Sequence, residues 1–489
     1  MTAPLMREVS QTPIPRLWQV QLVAGIGGFL ASVNASTINV ALPAVSRHFE
    51  ASASGASWTL LSYMVVTTVL VFVFGRVADM IDRRRLYLGG IAVLTAGSVL
   101  CGLSPNVNWL IFFRCLQAVG AAALLCNITA LITDAFPARR LATALGINAT
   151  IGALAQVVGP ALGGALTSGL GWRAVFWFNI PFGLVGLVWA WIILRPNDAR
   201  CRREPFDYLG ASLSAAGLGG FVLALSEGGS LGWSSAPVIS GFTLFAISAP
   251  LFLVVQARRR HPLLNLDLFA NWGRSMAYLA LLLMSMAYFA VALLVSLYLQ
   301  AVSGMTPYQA GLHVLYVALA MAVTAPMAGR LLARFSARAI SSTGLALTAT
   351  GLFALTAAVN PAMNSRILAS CLLLIGAGVG LFTTPNTRAI MGSVSAHRRG
   401  VANGVRQTVQ NAGFAISTAL ALAIVTSGLP STAKQAVYTG AVSGLGTDTL
   451  QAFSNGFKWA LLALGATCVL ALIASLSRGS DTIECAEIN

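Results

Sequence analysis

Fourteen apolar windows, each near the length a helix needs to cross a hydrocarbon core, divide this chain. They run 18–41, 57–75, 86–103, 108–131, 141–167, 173–194, 208–227, 238–257, 274–300, 308–330, 339–359, 366–387, 401–427 and 456–477. Lipid offers the backbone no hydrogen-bond partners, so each window must satisfy itself as a helix or join a closed barrel. No alternation at period two is visible, which excludes the barrel. Only 9% of the 489 residues are charged and 57% are hydrophobic, so an all-α integral membrane protein is expected. Arg7, Glu8 and Arg16 precede a first window too long for a signal peptide, which predicts an uncleaved first helix.

The net charge of +16 could suggest nucleic acid as a partner, but its placement argues otherwise. The basic residues sit in short clusters between spans: Arg83–Arg85, Arg139–Arg140, Arg200–Arg203, Arg258–Arg260 and Arg398–Arg399. With the N-terminus inside, inner segments hold 23 of the 30 Lys and Arg and outer loops hold five, while Arg114 and Arg406 lie within spans. That bias predicts both termini on the cytoplasmic side. The seven cysteines show no paired spacing, so neither disulfides nor a metal site is expected.

GRVADMIDRRR begins at Gly75, at the inner end of the second span, and GRLLARFSARA begins at Gly329, at the inner end of the tenth. If spans seven and eight are set aside, both become second-helix positions of six-span halves. The chain then divides into a tail (1–17), an N-terminal half (18–195), a linker with two extra helices (196–273), a C-terminal half (274–477) and a second tail (478–489). Paired repeats of this kind mark transporters whose site lies between the halves.

Several residues carry chemistry. In GALAQVVGPALGG (152–164), Gly152, Gln156, Gly159 and Gly163 share one helical face beside Pro160 and Gly164. Small residues spaced by four let helices approach closely. Asp79 sits among Arg76 and Arg83–Arg85, either as a solvated loop charge or as a latch capping a neighbouring helix N-terminus. Arg114 lies inside the fourth span with Gln117 on its face, so it faces a cavity or partner, or else snorkels to the interface. The thirteenth span carries a polar stripe of Asn403, Arg406, Gln407, Gln410, Asn411 and Ser417, expected to line a cavity or pack on another polar helix. The first span is polar on two sides: Ser32, Ser36 and Asn39 on one, Asn34 and Thr37 elsewhere. Tyr288 in the ninth span and His313 in the tenth are candidate lining residues, with ordinary packing the competing reading. All fourteen acids lie in loops, tails or span ends, and Glu227 is the nearest to a membrane-embedded carboxylate.

These motifs together resemble the major facilitator superfamily. GxxxxxxGPxxGG in the fifth span is similar to its antiporter signature, GRVADMIDRRR to its second-to-third-helix loop motif, and RCLQAVGAA (114–122) to its fourth-helix motif. WRAVFWFNIPFG (172–183) and FDYLG (206–210) resemble stretches of the 14-span drug:proton antiporters. The resemblance implies a gating role for Asp79 with Arg83 and Arg84, and a link between Arg114 and proton coupling. Three departures stand out. Asp82 replaces a motif glycine, Ala118 follows Gln117 where glycine is usual, and Asn34 occupies the place of an aspartate in NASTINVALP. An amide cannot carry a proton near neutral pH, so coupling is expected to use Glu227, Asp79 or His313.

The expectation is a secondary active efflux transporter of small amphipathic molecules, proton-coupled, working by alternating access. The alternative is a transporter of a specific anionic or neutral metabolite. No GxxxxGK[ST], HExxH or aspartate pair occurs, so neither ATP-driven transport nor an enzyme is expected, and no cofactor is implied. Expected partners are the substrate, protons and the bilayer of a bacterial inner membrane, with a periplasmic adaptor in a double-membraned cell. The chain is expected to be a monomer.

Overall fold

The computed structural model describes residues 14–51, 53–195, 205–259, 261–305, 307–359, 364–394, 398–430, 433–434 and 447–478. The Arg200–Arg203 cluster and most of both tails lie outside these, as do the side chains of Asn39 and Pro160. Among the described residues every regular element is helical: α1 Ile14–His48, α2 Ala53–Met80, α3 Arg83–Gly102, α4 Val107–Ala135 and α5 Ala138–Leu170, then the short α6 Arg173–Trp177 and α7 Asn179–Ile193. Next come α8 Tyr208–Leu231 and α9 Ala236–Arg258, followed by α10 Trp272–Val302, α11 Pro307–Leu331, α12 Ala337–Ala358, α13 Ser365–Gly392, α14 Arg399–Thr426 and α15 Thr447–Leu476.

Thirteen stretches of the described residues are long and apolar enough to span a membrane. The 33-residue α5 adds a fourteenth. The sixth expected span runs from Arg173 to Ile193, with α6 and α7 joined at Phe178 by helical backbone angles. The second span also runs further than the hydropathy implies, which places Asp79 in the last turn of α2 rather than in a loop.

Short polar side chains start many of the helices. Asp82, Asn106, Asp207, Asn271, Ser336 and Asn364 each accept a backbone N–H of the first turn of α3, α4, α8, α10, α12 and α13. These bonds satisfy donors that the helix itself cannot. α5 follows Pro137 and α14 follows Arg398, and neither has a capping side chain of its own.

Packing repeats between two sets of helices. In the first set α1 packs on α5, α2 on α4 and α3 on α4; in the second α10 packs on α14, α11 on α13 and α12 on α13. The two sets meet along α2–α14 and α5–α11, which are equivalent pairs under that repeat. The fold is therefore two pseudo-symmetric six-helix halves with α8 and α9 added. α8 lies against α2 and α14, touching both halves, while α9 is the least buried described span.

The Gly75/Gly329 echo has a direct structural meaning. A Cβ on Gly75 would lie 2.8 Å from the Gly400 carbonyl oxygen on α14, and one on Gly329 would lie 2.7 Å from the Thr143 nitrogen on α5. Each glycine lets the second helix of one half touch the backbone of the fifth helix of the other.

Candidate functional site

The end of the bundle that carries Arg83–Arg85 and Arg398–Arg399 is closed by polar contacts between the halves. Asp79 supplies the cap that α14 lacks: its carboxylate accepts the Gly400 N–H at 2.8 Å and the Val401 N–H at 2.9 Å. A negative charge at a helix N-terminus meets both the orphan donors and the positive end of the dipole. Arg83 reaches Asp79 at 3.5 Å and also pairs with Asp134 in the last turn of α4. Asp134 accepts a further bond at 2.9 Å from Arg399, the first residue of α14. Asn403, one turn further along α14, donates to the Cys126 carbonyl of α4 at 2.7 Å. The latch thus ties α2, α3 and α4 of one half to α14 of the other.

Arg84 is not part of it. Its guanidinium donates to the Trp191 carbonyl at 2.8 Å and lies over the Trp191 ring, within its own half. Successive helical residues point about 100° apart, so Arg83 and Arg84 cannot serve the same face.

Deeper in the N-terminal half, Arg114 is fully enclosed. Its Nε donates to the Thr59 carbonyl at 3.3 Å, and its Nη1 to the Asn34 carbonyl at 3.3 Å and to Gln117 at 2.8 Å. The guanidinium stacks on Tyr63, 4.4 Å from the ring centroid. Gln117 in turn donates to Ser98 at 2.7 Å. Arg114 therefore braces α1, α2 and α4 and does not snorkel. No carboxylate pairs with it among the described residues. Asn34 is buried as well, and its side-chain oxygen accepts from Asn179 of α7 at 3.3 Å. Asn34 and Gln117 are thus internal to this half.

The C-terminal half holds a second buried guanidinium. Arg406 donates to Asn403 at 3.0 Å and to Gln410 at 3.3 Å, and bonds Gln407 closely. Gln410 bonds the Tyr288 hydroxyl, and Tyr288 packs edge-on against Phe414. Asn411 reaches Thr68 of α2 at 3.4 Å, across the halves. Gln407, Gln410, Asn411, Tyr288 and Phe414 are all half-buried, so this stripe borders open space.

The glycine motif of α5 packs against α1 over part of its length. A Cβ on Gly159 would lie 2.8 Å from Ser36 Cβ, one on Gly163 would lie 3.0 Å from Thr37 Cα, and one on Gly164 would lie 3.5 Å from Val40. Gly152 faces nothing within 4 Å and Gln156 is exposed, so these two point away from α1, although α1 runs on along α5 to Ile151 and Asn148. Glu227 is half-buried near the end of α8, outside both halves. His313 is half-buried on α11, with its Nδ1 3.0 Å from the Gln309 carbonyl one turn back. Three contributors escape sequence reasoning. Asp134 and Arg399 complete the latch, and Asn179 pairs with Asn34 from inside the WRAVFWFNIPFG stretch.

The profile of the Major Facilitator Superfamily matches residues 24–418, with a further match over 277–480. The chain is 33% identical over 413 residues to Multidrug resistance protein Stp of Mycobacterium tuberculosis, covering 84% of this chain and 76% of that protein. It is 28% identical to Riboflavin transporter RibZ of Clostridioides difficile, covering 82% and 87%. It is also 28% identical to the tetracenomycin C resistance and export protein of Streptomyces glaucescens, covering 84% and 77%. Among solved structures, the human organic anion transporter MFSD10 (TETRAN) superposes with a TM-score of 0.65 at 13% identity, over 95% of this chain and all of that one. That likeness concerns the fold alone. The chain belongs to the major facilitator superfamily of membrane transporters.

Proposed function

We propose that the protein exports small amphipathic molecules by alternating access, driven by protons moving the other way. The observation that carries this reading is the Asp79 carboxylate capping the N-terminus of α14 from the opposite half. A bond of that kind holds one end of the bundle shut and is lost when the halves rock apart. By the basic-residue bias the shut end is cytoplasmic, with both termini on that side. The halves are residues 18–195 and 274–477, and 196–273 is the linker. The names of Stp and of the tetracenomycin exporter support export, and the name of RibZ leaves substrate class open among small organic molecules.

Asp79 and Asp134 bond across the moving interface, so a proton arriving on either removes an acceptor and weakens the closed state. Proton entry from outside then favours opening to the cytoplasm, where the proton leaves and substrate enters. Each site is completed within one chain, in keeping with a monomer. The second reading, transport of a specific anionic or neutral metabolite, draws support from two buried arginines with no carboxylate beside them. The test is dye uptake into inside-out vesicles with and without a proton gradient. Export predicts gradient-dependent accumulation; gradient-independent uptake removes the coupling, and no uptake of any dye removes the export reading.

A further inference from the structure

Arg406 is a buried cation without a counter-charge. Its exposure is 8%, and no carboxylate pairs with it among the described residues. A guanidinium has five N–H donors. Three are used, all on neutral side-chain oxygens of its own helix: Nε on Asn403, one Nη1 donor on Gln410 and one Nη2 donor on Gln407. One donor on each terminal nitrogen is left, the pair that a carboxylate or phosphate takes in bidentate fashion. Holding a charge in this setting costs several kcal/mol unless something offsets it, and amides offset it only in part.

Arg114 has the same deficit but a different setting. It is 1% exposed and is held by backbone carbonyls of two other helices and by the Tyr63 ring. Its one side-chain acceptor, Gln117, is itself fully buried, so this guanidinium has no open side. Around Arg406 two of the three partners, Gln407 and Gln410, are half-buried glutamines with rotatable side chains. The stripe continues along α14 into an aromatic wall, where Phe414 stacks on Phe289 at 4.0 Å and meets Tyr288 edge-on at 5.9 Å. Residues 403, 407, 410 and 414 recur at helical spacing, so the polar and aromatic portions lie on one face. The stripe begins just above the latch, because Asn403 itself bonds the α4 carbonyls at the gate.

We propose that Arg406, framed by Gln407 and Gln410, binds an acidic group of the transported molecule, whose apolar body lies on Tyr288 and Phe414. The substrates are amphipathic anions, and the assignment rests on the transporter reading above. Purified protein tests it without requiring transport, through fluorescence-polarisation titration with fluorescein, an anion, and a cationic rhodamine ester on the same ring system. The parent binds fluorescein more tightly by about tenfold or more. Arg406→Gln weakens fluorescein by at least about thirtyfold, the loss expected when one member of a buried charge pair is removed. Arg406→Lys keeps the charge without the fork and loses about three- to tenfold. If Arg406→Gln does not fold, the Lys variant and the parent's preference between the dyes decide the matter. Absent fluorescein binding, equal or tighter rhodamine binding, or unchanged fluorescein affinity in a folded Arg406→Gln overturns the assignment. Dye flux in vesicles is read separately, so a working exporter without anion preference refutes this site and leaves the export reading intact.

Discussion

Asp79→Asn isolates the gate from the substrate site. The Asp79 side chain is 2% exposed and holds two backbone donors, at 2.8 and 2.9 Å. Asparagine keeps one acceptor oxygen but turns an amide N–H₂ toward the second backbone N–H. One hydrogen bond to a charged group is lost, about 1.5–3 kcal/mol. Loss of the charge at the helix N-terminus removes about 0.3–1 kcal/mol more. Taking about 2–3 kcal/mol in total, the closed state loses a factor of about 30 to 150 against the open one. The capped residues, Gly400 and Val401, lie more than a turn of α14 from Arg406, so the anion site keeps its residues. Vesicle transport is expected to fall by about tenfold or more, while fluorescein binding to purified protein stays within about threefold of the parent. Loss of binding in proportion to loss of transport refutes a gating role, and so does unchanged transport.

Gly163→Ala forces a Cβ to within 3.0 Å of Thr37 Cα and should lower thermal stability by about 1–3 kcal/mol, while Gly152→Ala, which meets open space, should change it by less than about 0.5 kcal/mol. Equal effects on melting temperature contradict the reading that Gly163 faces α1 and Gly152 does not. Asp134→Asn and Arg399→Gln should each slow transport, and the double variant should cost about 1 kcal/mol less than the sum of the two; strict additivity in rate measurements removes the cross-half pair. Asn34→Asp sets a titratable group within the buried cluster that holds Arg114, so the pH profile of transport should shift. An unchanged profile contradicts that coupling.

The span pattern is legible because lipid leaves the backbone few choices, and Asp79 is legible because an acid among arginines at a span end has few other uses. The Gly75/Gly329 echo also carries through, since both crossings need a residue without a Cβ. What the sequence hides is direction and partner. Asp134 finds Arg83 across 51 positions and Arg399 across 265, distances at which no local pattern pairs side chains. Asn34 and Asn179 meet across 145 positions, and that pairing holds the Asn34 side chain inside the N-terminal half. The face shared by Gly152 and Gly159 suggests that both meet the same partner, but only Gly159 meets α1, while Gly152 faces nothing within 4 Å. Adjacency groups Arg84 with Arg83, and on a helix adjacency means divergence. Arg114 and Arg406 look alike in sequence; only their neighbours separate a fixed brace from a reachable cation.

The central claim is that the latch between α2 and α14 opens and closes during transport. Spin labels at Ile81 and Arg398, on either side of that latch, report it by pulsed dipolar distance measurement in reconstituted vesicles. One short distance is expected at rest and a second, longer population when protons and substrate are supplied, with the longer population dominant in Asp79→Asn. A single distance, unchanged by protons, by substrate and by Asp79→Asn, would contradict it.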